Sequence, residues 1–153
     1  MTDAAGHLDK KLGYLGAPWE ELFGYAQAVQ VGRTIYVAGQ LSHDEAGNLV
    51  GPAPLDADGK IIDSSNMGIQ MRTSYKNAVK LLTQFGATLD HVVEETIYVT
   101  DMAAAFAVAG QTRKAAYGTE RPACASSIVE VTRLALPGQL VEVSFTVVLP
   151  DEK

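Results

Sequence analysis

From Tyr25 onward, hydrophobic and polar positions follow a period of two. Tyr25, Gln27, Val29 and Val31 share one face of a strand, with Ala26, Ala28 and Gln30 on the other. Gly32-Arg33 supplies a tight turn and Thr34–Ala38 is a second β-rich run ending at Gly39-Gln40, so the pair reads as a hairpin. Between Ser42 and Asn66, Gly47-Asn48, Gly51-Pro52 and Asp58-Gly59 break any period, which predicts a long irregular loop with a short strand at Lys60–Ile62. At Met67 the period changes. Met71, Tyr75, Ala78, Leu82 and Phe85 form the apolar stripe of a helix over Met67–Phe85, while Arg72, Lys76 and Lys80 line another face. His91–Thr100 returns to alternation, with Val93, Glu95, Ile97 and Val99 against Val92, Glu94, Thr96 and Tyr98. Thr100-Asp101 caps a second helix that runs to Tyr117 and is stopped by Gly118. Two β-branched runs follow, Ser126–Val131 and Leu140–Val148, joined through a Pro137-Gly138 turn as a second hairpin.

The order β-β-α-β-α-β-β argues an α+β domain, a single mixed sheet with both helices on one face. The last two strands are rich in apolar residues, so a sheet face without helices predicts oligomerisation through that bare face. Residues 1–21 are aperiodic and read as an N-terminal arm; residues 22–150 form the single domain. Trp19 is read as covering a core edge, with a pocket wall as the alternative.

Composition narrows the function classes. The 153 residues are 47% hydrophobic and 20% charged, as in an ordinary folded domain. Eighteen acids against twelve bases give a net charge of −6, which disfavours nucleic acid as a partner because phosphate recognition depends on a basic patch. One cysteine excludes an internal disulfide framework and fits a reducing compartment. No run reads as a signal peptide or a membrane span, so the cytoplasm is the expected location.

Candidate chemistry is sparse. His7, His43 and His91 lie far apart and form no metal-ligand spacing, and no glycine motif reads as a phosphate loop. Cys124 is either a nucleophile or, more commonly for a lone cysteine, a small apolar packing residue. Glu130 and Glu142 stand in otherwise apolar strands. Glu142 shares a face with Ser144 and Thr146; that face is either solvated or the mouth of an intersubunit cleft in which Glu142 holds a water or takes a proton.

From Leu22 to Val148 the chain resembles the Rid/YjgF family of enamine and imine deaminases. The resemblance rests on Phe23-Gly24-Tyr25-Ala26-Gln27-Ala28, Ile35-Tyr36-Val37-Ala38-Gly39-Gln40-Leu41, the Arg72–Leu82 helix, Ile97-Tyr98-Val99-Thr100-Asp101-Met102 and Val129-Glu130-Val131-Thr132-Arg133-Leu134. It implies the chorismate-mutase-like fold, a homotrimer with clefts between subunits, and cofactor-independent hydrolysis of small enamines or imines to ketones and ammonia. Glu142 falls on the family's water-positioning glutamate and Tyr25 on its cleft tyrosine. The family's substrate-carboxylate arginine has no counterpart. Ser126 stands in its place and Ile128 in that of the cysteine two residues on, while a bulge after Pro122 would bring Cys124 or Ala125 there instead.

The sequence therefore points to a hydrolytic deaminase of altered substrate preference. Glu142 and Tyr25 are the catalytic candidates; Gly39, Ser126, Ile128, Arg121 and Cys124 are the substrate-contact candidates. Arg121, Arg113 or an arginine of another subunit could supply the missing charge. The rival reading is a non-catalytic small-molecule-binding trimer that kept the clefts.

Overall fold

The computed structural model describes residues 6–152. In chain order it contains β1 (Lys11–Gly13), α1 (Pro18–Phe23), β2 (Ala28–Val31), β3 (Thr34–Gln40), α2 (Met67–Thr83), β4 (Val92–Val99), α3 (Met102–Tyr117), β5 (Ala125–Glu130) and β6 (Val141–Val148), with a 3₁₀ turn at Leu89–His91 before β4. The strands form one mixed sheet in the order β1-β2-β3-β6-β4-β5.

The strand of strictest alternation takes the centre. In β6, Val141, Val143, Phe145 and Val147 are buried and alternate with half-buried Glu142, Ser144, Thr146 and Val148. β6 lies antiparallel to β3 on one side and β4 on the other. Its apolar row packs under α2, whose Met71, Tyr75, Ala78 and Leu82 form the expected stripe and are buried. Asp101 begins α3 by accepting the Ala104 N–H (3.0 Å), and Gly118 ends it at φ 68°, a conformation open to glycine.

Three expectations change. Ser126–Val131 and Leu140–Val148 are not a hairpin: β5 runs parallel to β4, joined to it by the α3 crossover, and β6 inserts between β3 and β4. Burial explains the choice, because β5 is exposed or half-exposed at every position and suits an edge, whereas β6 buries every second residue. The segment read as an arm contributes β1, paired Lys11↔Gln30 and Gly13↔Ala28, and the short helix α1; neither is long enough to show a period. The face without helices is also less apolar than expected. Cross-strand partners place Tyr36 beside Thr146, Glu94 beside Thr146, Thr96 beside Ser144 and Tyr98 beside Glu142 on that side. A register shift at Val92–Glu94 turns Val92 inward and Val93 out, leaving Glu95, Ile97 and Val99 under the helices as the alternation required.

One buried side chain ties the layers together. Gln70 of α2 accepts the Leu140 N–H (2.8 Å) and donates to the carbonyls of Gly51 (2.8 Å) and Gly138 (2.9 Å), joining helix, long loop and the start of β6. Gln70→Ala leaves the buried Leu140 N–H without its acceptor and the Gly51 carbonyl without its donor, while the Gly138 carbonyl keeps the Ala53 N–H (2.9 Å). The expected loss is about 2–4 kcal/mol, read as a lower urea midpoint at unchanged slope.

Candidate functional site

Glu142 points from β6 to the uncovered face, opposite Tyr98. Among the described residues its carboxylate has one donor, the Gln139 amide at 3.3 Å. Burial pushes the Glu142 carboxyl above the usual carboxylate range, and the Gln139 hydrogen bond opposes that rise. Gly39, in the irregular end of β3, lies directly against this carboxylate: a Cβ at position 39 would overlap the Glu142 side chain. Tyr25 lies within reach of the Glu142 charge. Burial raises its phenol, and the charges of Glu20 and then Glu142 raise it further. The structure thus brings together Glu142, Tyr25 and Gly39 from three separate stretches of chain.

A buried hydrogen-bond chain fixes their backbone. The Glu20 carboxylate accepts from the amides of Leu15, Gly16 and Ala17 at 3.0–3.1 Å and from Gln27 Nε2 at 3.2 Å. Gln27 in turn accepts from Gln40 Nε2 at 3.0 Å. Glu20, Gln27 and Gln40 are each at most 6% exposed. They hold the segments bearing Tyr25 and Gly39, and their roles were not visible in the sequence because the three are joined only by the fold.

Of the remaining substrate-contact candidates, Ser126, Cys124 and Ile128 lie elsewhere, on the helix side of the sheet, and Arg121 stands apart. Glu95 of β4, on the helix side, is buried and accepts from four donors: Tyr75 Oη (2.8 Å), Tyr117 Oη (2.8 Å), Ser126 Oγ (2.8 Å) and Arg113 Nε. Burial works against the charge of Arg113, yet its pairing with Glu95 holds the guanidinium firmly protonated. Burial, with Glu95 close by, drives both phenols well above their ordinary range; Cys124 adds to the effect on Tyr117. Cys124 Sγ sits 3.5 Å from both Arg113 Nη2 and Tyr117 Oη. Ile128 packs half-buried beside this cluster, against the core. Arg121 is exposed and has no ion-pair partner among the described residues. Within one chain, then, Ser126 and Cys124 lie across the sheet from Glu142. Glu130 has a structural part to play, because its carboxylate accepts the Met102 N–H (2.8 Å) and caps α3.

The sequence did hold one signal for Glu95, an acid in phase with Ile97 and Val99 on the apolar side of a strand. Glu95→Ala leaves Arg113 and two phenols without their acceptor, and a loss of about 3–5 kcal/mol is expected in denaturant unfolding. For Glu142 the sign is opposite. A carboxyl whose pKa is raised on folding binds its proton better in the native state, so its contribution is favourable at low pH and is lost as pH rises through the native value. Glu142→Gln should remove that pH dependence, giving a melting temperature that gains on the parent chain above the carboxylate range.

The chain and its fold have counterparts among known proteins. The family described as Endoribonuclease L-PSP matches residues 18–149. A RutC family protein of Pyrococcus abyssi is 31% identical over 110 residues, covering 72% of this chain and 75% of that one. A 2-iminobutanoate/2-iminopropanoate deaminase of Mus musculus is 31% identical over 78 residues, about half of each chain (51% and 49%). Among solved structures, a YjgF family member from Mycobacterium tuberculosis superimposes with TM-score 0.71 at 29% identity, covering 92% of this chain and all (100%) of that one. The Rid family protein YyfA from Yersinia pestis gives TM-score 0.72 at 27% identity and the same coverage, 92% and 100%. The six-stranded mixed sheet is the chorismate-mutase-like fold, and the chain belongs to the endoribonuclease L-PSP family, also called YjgF/Rid.

Proposed function

We propose that the chain is a hydrolytic deaminase of small imines or enamines. The observation that carries this reading is the Glu142 carboxylate, half-buried against Gly39, close enough for its charge to act on the Tyr25 phenol, with one amide donor among the described residues and a raised pKa. A carboxylate with few partners and a proton affinity nearer neutrality can exchange a proton in the working range. Water adds to the C=N carbon while Glu142 takes one of its protons. The nitrogen gains a proton, the carbinolamine collapses, and ammonia leaves with the carbonyl product. Water is the only co-substrate this balance needs. The partial likeness to an iminobutanoate and iminopropanoate deaminase supports the reaction class.

In this reading the chain works as a homotrimer joined through the uncovered sheet face, which places Glu142 in a cleft between copies. The substrate preference is altered. Ser126 is engaged by Glu95, and the Arg113 charge is neutralised by the same carboxylate. A bidentate arginine grip on a substrate carboxylate is therefore missing from β5, and substrates without that carboxylate lose least. The same observation favours a second reading, a trimer that binds a small molecule without turning it over.

Ammonia release from a panel of neutral and anionic imines separates the two. Glu142→Gln is expected to lower the rate at least a hundredfold, with the melting profile unchanged at acid pH, where the native carboxyl holds its proton. In the parent chain the rate should climb with pH, its midpoint above the ordinary carboxylate range because the base must be ionised. Turnover unchanged in the variant sinks the mechanism. Ligand stabilisation in a thermal-shift screen with no turnover of any imine supports the binding trimer instead.

A further inference from the structure

The outer layer of the molecule has a charge of its own. In a chain of net charge −6, α2 and α3 carry Arg72, Lys76, Lys80, Arg113 and Lys114 and not one acidic residue. Three of the five cations are matched from outside the helices: Arg113 by Glu95, Lys114 by Glu120 (3.0 Å) and Lys80 by Glu45 (3.4 Å). Arg72 and Lys76 have no carboxylate partner among the described residues. These two line the same groove, a cavity of about 360 Å³ between α2 and α3.

The groove is otherwise apolar. Val79 forms one wall and Ala115 and Ala116 the other, where the small side chains leave the space between the helices unfilled. Tyr75 and Thr112, both buried, make the floor. A volume in the range of small-molecule sites, a mostly apolar lining and a few polar groups at one edge are the attributes of a ligand pocket. Arg72 and Lys76 stand one helical turn apart, where like charges repel. An anion between them relieves that repulsion.

We infer that the α2–α3 groove is a binding site for a small organic carboxylate, its flat apolar body between Val79 and Ala115 and its charge between Arg72 and Lys76. The groove lies on the helix layer, across the sheet from Glu142, so its occupancy does not depend on the chemistry there. Two features set the specificity: the apolar slot rejects a bare inorganic anion, and the cation pair rejects a neutral molecule of the same shape.

The probes are 2-naphthoate, its neutral counterpart 2-naphthamide, inorganic phosphate and a single-stranded RNA oligonucleotide, titrated at low salt and followed by methyl NMR and calorimetry. Naphthoate is expected to shift the methyl signals of Val79, Thr112 and Ala115 saturably and to bind at least about tenfold more tightly than naphthamide. The double variant Arg72→Gln, Lys76→Gln should lose that preference at unchanged melting temperature, since both residues are exposed. Ala115→Phe, which fills the slot and leaves both cations, should abolish binding of both naphthalenes. The inference is overturned by equal affinity for naphthoate and naphthamide, by shifts confined to the Glu142 side, by phosphate binding as well as naphthoate, or by RNA binding that needs Arg72 and Lys76 where naphthoate does not bind.

Discussion

A single carboxylate under the helices holds the architecture together. Glu95 receives a phenol from α2, a phenol and a guanidinium from α3 and a hydroxyl from β5. Every element packed on that end of the sheet therefore ends on one acid. A buried ion pair is a weak source of net stability but a demanding one to break, because removing either partner leaves a charge where water cannot follow. Glu142 is the contrasting case. Both acids lie in adjacent central strands, three register positions apart. Among the described residues Glu95 is saturated by four donors, whereas Glu142 has one. The saturated acid is a fastener; the unsaturated one keeps capacity for a water or a substrate.

Much of the fold was legible because its main elements are long enough to repeat a period. α2 shows several turns of one stripe and β6 four buried positions in a row of alternation. β1 and α1 are too short to show either, and they leave no trace in the hydrophobic pattern. The pairing of β5 was hidden for another reason. Strand partners are chosen by burial and by the crossover between β4 and β5, and a Pro-Gly turn ahead of β6 looks the same whether or not its flanks pair.

The site divided in the same way. Glu142 was readable from its phase against Val141, Val143 and Phe145, and Gly39 and Tyr25 from family-like stretches. The Glu20–Gln27–Gln40 chain was not, since each link joins residues that only the fold brings near. Ser126 and Cys124 stand at cleft positions by sequence resemblance, yet within one chain they belong with Glu95 and Tyr117. An acid on the apolar side of β4 was the visible clue to that second cluster, and its partners on α2, α3 and β5 could not be assigned without coordinates.

The position of β6 has a consequence for how the molecule is made. Its neighbours β3 and β4 are not paired with each other; β3 has β2 on its other side and β4 has β5, and their facing edges are filled only when β6 slides between them, joining Gln40 to Val143 and Tyr98 to Glu142. Until Val148 has been synthesised, two strands with apolar rows stand with open edges while the helices have no finished sheet to cover. Contacts so distant along the chain close slowly, and the interval before closure is when such edges can join those of another nascent copy. The strand that presents Glu142 is thus also the last piece of the core, so a chain that has folded at all has, by the same event, assembled its candidate site.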